Sequence, residues 1–271
     1  MLTNEQIQQY HADGYLIVRG FLSAPEVQKL HGIAIADDAM RKHAFDLNDQ
    51  TGKRTRLSLW YTPGDDAYGL LTRSRRMVTA VDQLLEGDGA VCHFHSKLMQ
   101  KEPRVGGAWE WHQDYGYWYK NEFLFPEQMM SVMIAISEAT KENGCLQVIG
   151  GTHKMGRVEH GFAGEQVGAA QRYVDLALQT LPHVYVELEA GDALFFHSNI
   201  LHRSEANESD RPRWSLISCY NRSSNPPYNE PSGSSTIPIS MVEDDALLLA
   251  DATGLGEGAN FLEKEKDEAL K

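Results

Sequence analysis

Residues 191–221 read GDALFFHSNILHRSEANESDRPRWSLISCYN, and this stretch decides the fold class. Two apolar runs in it, DALFFH and WSLISCYN, contain aromatic and β-branched residues, which favour strands. The segment between the two runs is polar and rich in turn-forming residues. The stretch therefore predicts two short β-strands.

Similar segments extend back along the chain to residue 91. They are VCHFHSKLMQK, GAWEWHQD, MMSVMIAIS, GCLQVIGG and HVYVELE. Turn-forming residues separate them at VGG (105–107), KENG (141–144) and EAGD (189–192). Several short strands at this spacing indicate a sandwich or a barrel.

Helices are expected before this strand region. Thr3 and Gln6 have capping-box spacing, in which two side chains satisfy free backbone amides at a helix start. Ser23 and Glu26 have the same spacing. The predicted helices are 4–12, 24–41 and 74–86, and a short strand is predicted at 14–20. The fold class is therefore mainly β (α+β), with flanking N-terminal helices.

Three stretches fall outside this pattern. Residues 54–69, RTRLSLWYTPGDDAYG, are interpreted as a loop in which Arg56 is a candidate for binding an anionic group, although Pro-Gly-Asp-Asp is also ordinary turn chemistry. Residues 152–182 interrupt the strand series as either a lid or a crossover. Residues 223–271 form a loop-rich tail with one short helix at EDDALLLADA. All 271 residues are predicted to form one domain, with the motif-bearing core at about 91–222.

Composition excludes several functional classes. The hydrophobic fraction of 42% and the charged fraction of 23% are those of an ordinary folded protein. A net charge of −13 argues against a nucleic-acid partner. No apolar run is long enough for a membrane span or a signal peptide. Three cysteines without a CxxC pair indicate reduced thiols in a cytoplasmic protein. The expected partner is a small molecule, and the sequence leaves the oligomeric state open.

A metal-binding pattern lies in AWEWHQDYGYWY, residues 108–119. Side chains alternate along a strand, so His112 and Asp114 share a face and can hold two adjacent positions of a metal ion. A third ligand must come from a distant strand, where His197 and His202 are available. Two histidines and one carboxylate with open positions are the ligand set of non-haem Fe(II) oxygenases.

Five ordered motifs carry a family resemblance over roughly residues 10–222. They are DGYLIVRGFLS, WHQD, ENGCLQVIGGTHK, GDALFFHSNILHRSEAN and RPRWSLISCYN. With these motifs the chain resembles the phytanoyl-CoA dioxygenase family of Fe(II)- and 2-oxoglutarate-dependent oxygenases. The resemblance implies a double-stranded β-helix, the jelly roll of cupin-like proteins.

The resemblance also implies the metal ligands. His112 and Asp114 match the first two iron ligands of the family. His202 matches the third, because the ligand is the second histidine of the corresponding family segment. His197 is then expected to make a structural hydrogen bond.

A cosubstrate site follows from the same comparison. Arg213, eleven residues after His202, matches the family's arginine that binds the distal carboxylate of 2-oxoglutarate. A guanidinium group can form two parallel hydrogen bonds with a carboxylate, which a lysine cannot do as well. Ser204 matches a hydroxyl that shares this carboxylate. Arg211 is the rival arginine, and it is expected in an exposed turn.

The alternation of side chains along a strand predicts the direction of four further side chains. His95 and Lys97 share one face of the strand at 91–101 and are predicted to point inward, where they could help bind the cosubstrate. By the same rule Trp109 and Trp111 face away from His112 and pack in the core.

The candidate substrate-binding residues lie in three parts of the chain. Tyr117, Trp118 and Tyr119 follow Asp114 in an expected loop, where they could wall the substrate pocket or simply close the end of the barrel. Asn221 ends a strand that begins beside Arg213. Arg56 is the remaining candidate.

The reaction implied by the resemblance couples decarboxylation of 2-oxoglutarate, to succinate and CO2, with hydroxylation of an unactivated C–H bond. It requires Fe(II), 2-oxoglutarate and O2, and ascorbate is expected to help. A small polar metabolite, such as an amino acid, an ectoine-like compound or an aminophosphonate, is preferred over an acyl-CoA, because no long apolar channel or basic rim is evident. A zinc-dependent hydrolase and a non-catalytic ligand-binding relative stay as alternatives. Arg213 and the complete ligand set favour the oxygenase.

Overall fold

The computed structural model describes residues 1–37, 42–121, 123–163, 165–228, 234–251 and 253–262. Its helices are α1 (Asn4–Asp13), α2 (Ala24–Ala36), α3 (Ala67–Thr72), α4 (Arg75–Leu84), α5 (Asp114–Trp118), α6 (Gln171–Thr180) and α7 (Ala246–Leu249). Its strands are β1 (Tyr15–Val18), β2 (Phe45–Asn48), β3 (Arg54–Trp60), β4 (Val91–Lys101), β5 (Trp109–His112), β6 (Met129–Ala135), β7 (Leu146–Ile149), β8 (His160–Ala163), β9 (Gln166–Ala169), β10 (His183–Val186), β11 (Ala193–His197), β12 (His202–Ser204) and β13 (Arg213–Arg222).

Two antiparallel sheets face each other. The larger has seven strands in the order β1-β11-β6-β13-β4-β3-β2, and the smaller has four in the order β10-β7-β12-β5. Strands β8 and β9 form a separate hairpin. Every strand predicted from residue 91 onward is present, and the facing sheets form the predicted jelly roll.

The larger sheet is buried on both faces. On β6, Val132 and Ile134 pack into the cluster under the N-terminal helices. Met129 and Met133 alternate with them and pack into a second cluster between the sheets. A strand buried on both faces needs apolar residues at nearly every position, which explains the continuous run MMSVMIAIS.

The N-terminal helices begin as predicted. Both capping boxes are formed, at Thr3 with Gln6 and at Ser23 with Glu26. Helix α2 ends at Ala36, short of the predicted end at residue 41, because Asp37 is already extended. Residues 38–41 lie outside the described residues.

The interpretation of residues 54–69 as a loop is wrong. Residues 54–60 form β3, which pairs with β2 and β4, and residues 67–72 form α3. In RTRLSLW the exposed Arg54 and Arg56 alternate with the buried Thr55 and Leu57, which is the two-residue period of a strand. The larger sheet therefore extends beyond the predicted core at 91–222.

The insertion at 152–182 supports strand β5. Within it, the Gln166 side chain accepts a hydrogen bond from the Glu110 N–H at 2.9 Å and donates to the Ala108 carbonyl at 3.0 Å. His160 Nε2 accepts from the Gln113 N–H at 3.0 Å. The insertion thus holds β5 in place.

The described part of the C-terminal tail is attached to the sheet. The Tyr61 N–H donates to the Asn260 carbonyl at 3.0 Å, and the Leu262 N–H donates to the Leu59 carbonyl at 2.9 Å. Helix α7 is the expected short helix, and its Leu247 is buried in the cluster under the helices. None of the helices in the described ranges is long and apolar enough to cross a membrane. The three cysteines are buried free thiols.

Candidate metal centre and adjoining pockets

Pairing of β12 with β5 brings His112 and His202 opposite each other. Asp114, the first residue of α5, lies beside them. Its Oδ1 is 3.7 Å from His112 Nε2 and 3.8 Å from His202 Nε2. Metal–ligand bonds of about 2 Å allow one ion to bridge donors up to about 4 Å apart. The three side chains can therefore hold one metal ion.

The backbone orients both imidazole rings. His112 Nδ1 donates to the Glu110 carbonyl at 2.7 Å, and His202 Nδ1 donates to the Ile200 carbonyl at 3.0 Å. A carbonyl can only accept, so each Nδ1 carries the proton and each Nε2, close to Asp114, is the unprotonated nitrogen. Hydrogen bonds of this kind, from the ring N–H to a backbone carbonyl, fix the orientation of histidine ligands on metals.

A chain of buried hydroxyl and thiol groups orients Asp114. The Ser131 hydroxyl donates to Asp114 Oδ2 at 2.6 Å, which leaves Oδ1 directed at the histidines. Cys219 Sγ lies 3.2 Å from Ser131 Oγ. The hydroxyl proton of Ser131 is already used, so the thiol of Cys219 is the donor. Burial raises the pKa of Cys219 to about 12, which keeps it protonated.

The protonation states suit metal binding. Burial, and then the neighbouring His202, hold the pKa of His112 well below its ordinary value. Burial also lowers the pKa of His202. Burial alone would raise the pKa of Asp114, but Lys97 and His202 outweigh it and lower this pKa. Two neutral imidazoles and a carboxylate are the forms that bind a metal without first losing a proton.

The donor set therefore fits Fe(II). Two histidine nitrogens and one carboxylate oxygen on one side leave the other coordination positions of an ion open. His112 and Asp114 line two cavities, described next.

The first cavity, here called the Arg213 cavity, is polar at one end. Arg213, Ser204 and Lys97 line it together with the three metal-ligand candidates. Arg213 is only 3% exposed, and its Nη1 donates to the Gly144 carbonyl. Burial lowers the pKa of Arg213 to about 10, so it keeps its charge at neutral pH. Arg211, in contrast, is exposed and pairs with Glu138, as expected.

The second cavity, here called the apolar pocket, has an empty volume of about 630 Å³ including its open mouth. Tyr117 and Trp118 line it, and they belong to the short helix α5 rather than to the expected loop. His95 lies here and does not line the Arg213 cavity. Lys97 reaches both cavities, and its Nζ is 3.9 Å from Asp114 Oδ1.

Trp109 departs from the predicted alternation. Its indole N–H donates to His112 Nε2 at 3.1 Å, so it lies at the metal centre and lines both cavities. The prediction that Trp109 faces away is wrong because the pairing register of β5 with β12 shifts at this point, and such a bulge interrupts strict alternation. Trp111 packs in the core as predicted, against Leu201 and its neighbours.

The structure does not bring three predicted substrate residues to the apolar pocket. Arg56 lies on the opposite face of β3, where Asp46 and Glu102 pair with it. The side-chain amide of Asn221 donates to the carbonyls of Asn225 and Ser235 and so holds the start of the tail. Tyr119 is 38% exposed and lines a different surface cavity.

Two further placements concern His197, the alternative to His202, and Arg222, the last residue of β13. His197 is not among the metal-ligand candidates, and its Nδ1 accepts from the Asn199 N–H at 3.0 Å. Arg222 donates to the carbonyls of Asp82 and Leu85 and so secures the end of α4.

Six apolar lining residues were missed by the sequence-based reasoning. They are Phe45, Leu47, Leu57, Leu59, Phe94 and Leu262. The alternation in RTRLSLW could have identified Leu57 and Leu59. No local signal indicates Leu262, which reaches the pocket only because the tail pairs with β3.

Comparison with known proteins settles the family. A sequence model described as phytanoyl-CoA dioxygenase (PhyH) matches residues 10–215. The chain belongs to the phytanoyl-CoA dioxygenase family. The match confirms the resemblance carried by the motifs.

Relatives of this phytanoyl-CoA dioxygenase family member include named hydroxylases. L-proline trans-4-hydroxylase of Streptomyces griseoviridis is 29% identical over 235 residues, which cover 81% of this chain and 86% of that protein. Methylphosphonate hydroxylase of Gimesia maris is 30% identical over 229 residues, which cover 81% of each chain. Among solved structures, the apoform of EctD from S. alaskensis has a TM-score of 0.71 at 20% identity and covers 89% of this chain and 88% of its own. That likeness confirms the jelly-roll fold.

The orientation of Asp114 by Ser131 gives a first prediction for this family member. In Ser131→Ala, Asp114 Oδ2 loses its donor, and the affinity for Fe(II) is expected to fall by about tenfold or more, the usual range for an outer-shell partner. Anaerobic equilibrium dialysis against ferrous iron measures the change. Ser218→Ala is the matched control, because its buried hydroxyl lies 2.8 Å from that of Thr72, away from Asp114. An equal loss in both variants, or no loss in Ser131→Ala, would contradict the assigned orientation.

Proposed function

We propose that this protein is an Fe(II)- and 2-oxoglutarate-dependent dioxygenase that hydroxylates an unactivated C–H bond of a small organic molecule, with succinate and CO2 as coproducts. The observation that carries the proposal is the position of the metal-ligand candidates. They lie between a cavity with a buried arginine and a pocket with apolar walls.

His112, Asp114 and His202 are the residues that would hold the iron. When bound, iron supplies the oxidative chemistry that amino-acid side chains cannot perform, using O2 and 2-oxoglutarate. These three side chains would supply its protein ligands. The backbone carbonyls and Ser131 keep their donor atoms aimed at it.

Arg213 is the proposed anchor for 2-oxoglutarate. Its buried guanidinium can pair with the distal carboxylate through two parallel hydrogen bonds, and Ser204 lines the same cavity. Lys97, at the junction of the two cavities, supplies a positive charge beside the metal ligands for the other end of the cosubstrate. These contacts position 2-oxoglutarate and stabilise its negative charge.

The substrate is proposed to occupy the apolar pocket. The rings of Tyr117 and Trp118 exclude water from the space beside the metal ligands, which prevents side reactions of reactive species. Rigid rings do this at little conformational cost.

The relatives support an oxygenase over the zinc hydrolase and the non-catalytic alternative. Their names include L-proline trans-4-hydroxylase, methylphosphonate hydroxylase and ectoine dioxygenase. EctD from S. alaskensis has been crystallised with Fe and with 2-oxoglutarate. These names refer to small molecules, which supports a small-molecule substrate here. We also infer a single functional domain, a cytoplasmic location and a benefit from ascorbate.

Succinate formation tests the proposed function. The purified chain is incubated with Fe(II), 2-oxoglutarate, O2 and ascorbate, and small molecules are screened for increased succinate release. Substrate-stimulated succinate release that requires Fe(II) is the expected result. Turnover with Zn(II) in place of Fe(II), or hydrolysis without succinate, would favour the hydrolase instead.

The aromatic wall gives a second prediction. Trp118→Ala is expected to keep decarboxylating 2-oxoglutarate while forming less hydroxylated product, because water enters the pocket. The measurement is the ratio of succinate to hydroxylated product, which should rise well above one. Tyr119→Ala is the matched control, since Tyr119 lies outside this pocket. A ratio that stays near one in Trp118→Ala, with normal substrate affinity, would mean that the ring only fills space.

A further inference from the structure

The apolar pocket contains one unusual polar group, the imidazole of His95. His95 is 5% exposed, and its Nε2 has no hydrogen-bond partner in the part of the chain that the structure describes. Burial, followed by the nearby charge of Lys97, holds the pKa of His95 well below its ordinary value, so the ring is neutral. Buried polar atoms are nearly always hydrogen-bonded in folded proteins. A ligand that supplies the missing partner therefore gains affinity.

The charged side chains that line this pocket in the described structure lie at the end formed by the metal-ligand candidates. Among the described lining residues, the ionisable groups other than His95 and tyrosine are Lys97, His112 and Asp114. These three lie together, with Lys97 Nζ 3.9 Å and His112 Nε2 3.7 Å from Asp114 Oδ1. The other walls are aliphatic and aromatic, for example Leu57. A charged group placed against those walls would lose its hydration without gaining a counter-ion.

We propose that the substrate enters this pocket with an uncharged, largely apolar body and one hydrogen-bonding group, such as a hydroxyl or a carbonyl, that pairs with His95 Nε2. The apolar walls bind the body by burial. His95 fixes the orientation of the body and so selects the carbon that faces the metal ligands. This inference rests on the proposed function and narrows its substrate class. Free amino acids, ectoine-like compounds and aminophosphonates carry charges that these walls do not match.

Four probes with one carbon framework test the pocket directly. They are toluene, benzyl alcohol, benzoate and benzylammonium, titrated by ligand-observed NMR into the full chain with Zn(II), as a redox-inert ion, and 2-oxoglutarate present. Benzyl alcohol is expected to bind at least about tenfold more tightly than either charged probe, and more tightly than toluene. Benzoate or benzylammonium binding as tightly as benzyl alcohol would overturn the proposal. So would the absence of binding by all four.

Substitution at His95 tests the hydrogen bond. His95→Phe is expected to bind benzyl alcohol no better than toluene, whereas His95→Gln, which keeps a hydrogen-bonding group, retains part of the preference. His183→Phe is the control, because His183 lies on β10, outside the pocket. If the His95→Phe variant preferred benzyl alcohol over toluene as strongly as the unsubstituted chain does, the proposal would be overturned. If His95→Phe fails to fold, the ranking of the four probes by the unsubstituted chain still tests whether the pocket prefers an uncharged ligand.

Failure of this inference differs from failure of the proposed function. Succinate formation is measured on the same preparations with Fe(II) and O2. A chain that forms succinate but prefers benzoate overturns the uncharged-substrate proposal and leaves the dioxygenase standing. A chain that ranks the probes as expected but never forms succinate supports the pocket proposal and counts against the dioxygenase.

Discussion

Replacing His202 with alanine is expected to abolish iron-dependent succinate formation. The three proposed ligands converge on one point, and Asp114 Oδ1 lies 3.7 Å and 3.8 Å from the two Nε2 atoms. Without His202, only two donors remain, and they do not make the facial arrangement that holds iron. The measurements are the iron content after anaerobic loading and the rate of succinate release, both of which should fall to background.

The fold of the His202→Ala variant should persist. The larger sheet and its helices do not depend on this side chain, so the circular dichroism spectrum and the thermal unfolding midpoint are expected to stay close to those of the unsubstituted chain. His197→Ala is the control. His197 is also a histidine of the stretch 191–221, but it contacts the Asn199 N–H rather than the metal centre. Loss of iron in His197→Ala, with retention in His202→Ala, would exchange the roles of the two histidines.

Replacing Arg213 with lysine is expected to weaken 2-oxoglutarate binding by about tenfold or more. Lysine keeps the positive charge but loses the planar fork that can form two parallel hydrogen bonds with a carboxylate. Arg213 is also buried at 3% exposure, so little water is available to replace the lost bond. The apparent affinity for 2-oxoglutarate, from succinate formation at varied cosubstrate concentration, measures the change.

The neighbouring arginine provides the control for this substitution. Arg211 is exposed and pairs with Glu138 at 3.3 Å, so Arg211→Lys should leave the affinity for 2-oxoglutarate unchanged. If Arg211→Lys lowered the affinity for 2-oxoglutarate and Arg213→Lys did not, Arg211 in the exposed turn would be the residue that binds the cosubstrate.

Local patterns predicted much of the fold and of the candidate site. The strands from β4 to β13 that were predicted as apolar runs are present, because alternation and turn chemistry act over a few residues. His112 and Asp114 do lie together, but the strand alternation used to pair them does not hold, because β5 ends at His112 and Asp114 begins helix α5. The choice of His202, Arg213 and Ser204 depended on the family motifs, and the structure places all three beside that pair.

Other features could not be predicted from local patterns. Alternation assigned His95 and Lys97 to one inner face, but only the packed sheets show that Lys97 reaches both cavities while His95 reaches the apolar pocket. The register shift that brings Trp109 to His112 depends on the pairing of β5 with β12. Arg56 lies on the outer face, in a strand that was interpreted as a loop.

Local patterns and motifs predicted the apolar strands from residue 91 onward, the capped helix starts, the family and the residues that could bind a metal ion. The tertiary structure decided which of those side chains meet and what surrounds them. Leu262 shows the difference, because it lines the apolar pocket through pairing with β3, some 200 residues earlier in the chain. The physical reason is that periodicity fixes the face on which a side chain lies. Strand register, bulges and long-range pairing fix the cavity that it reaches.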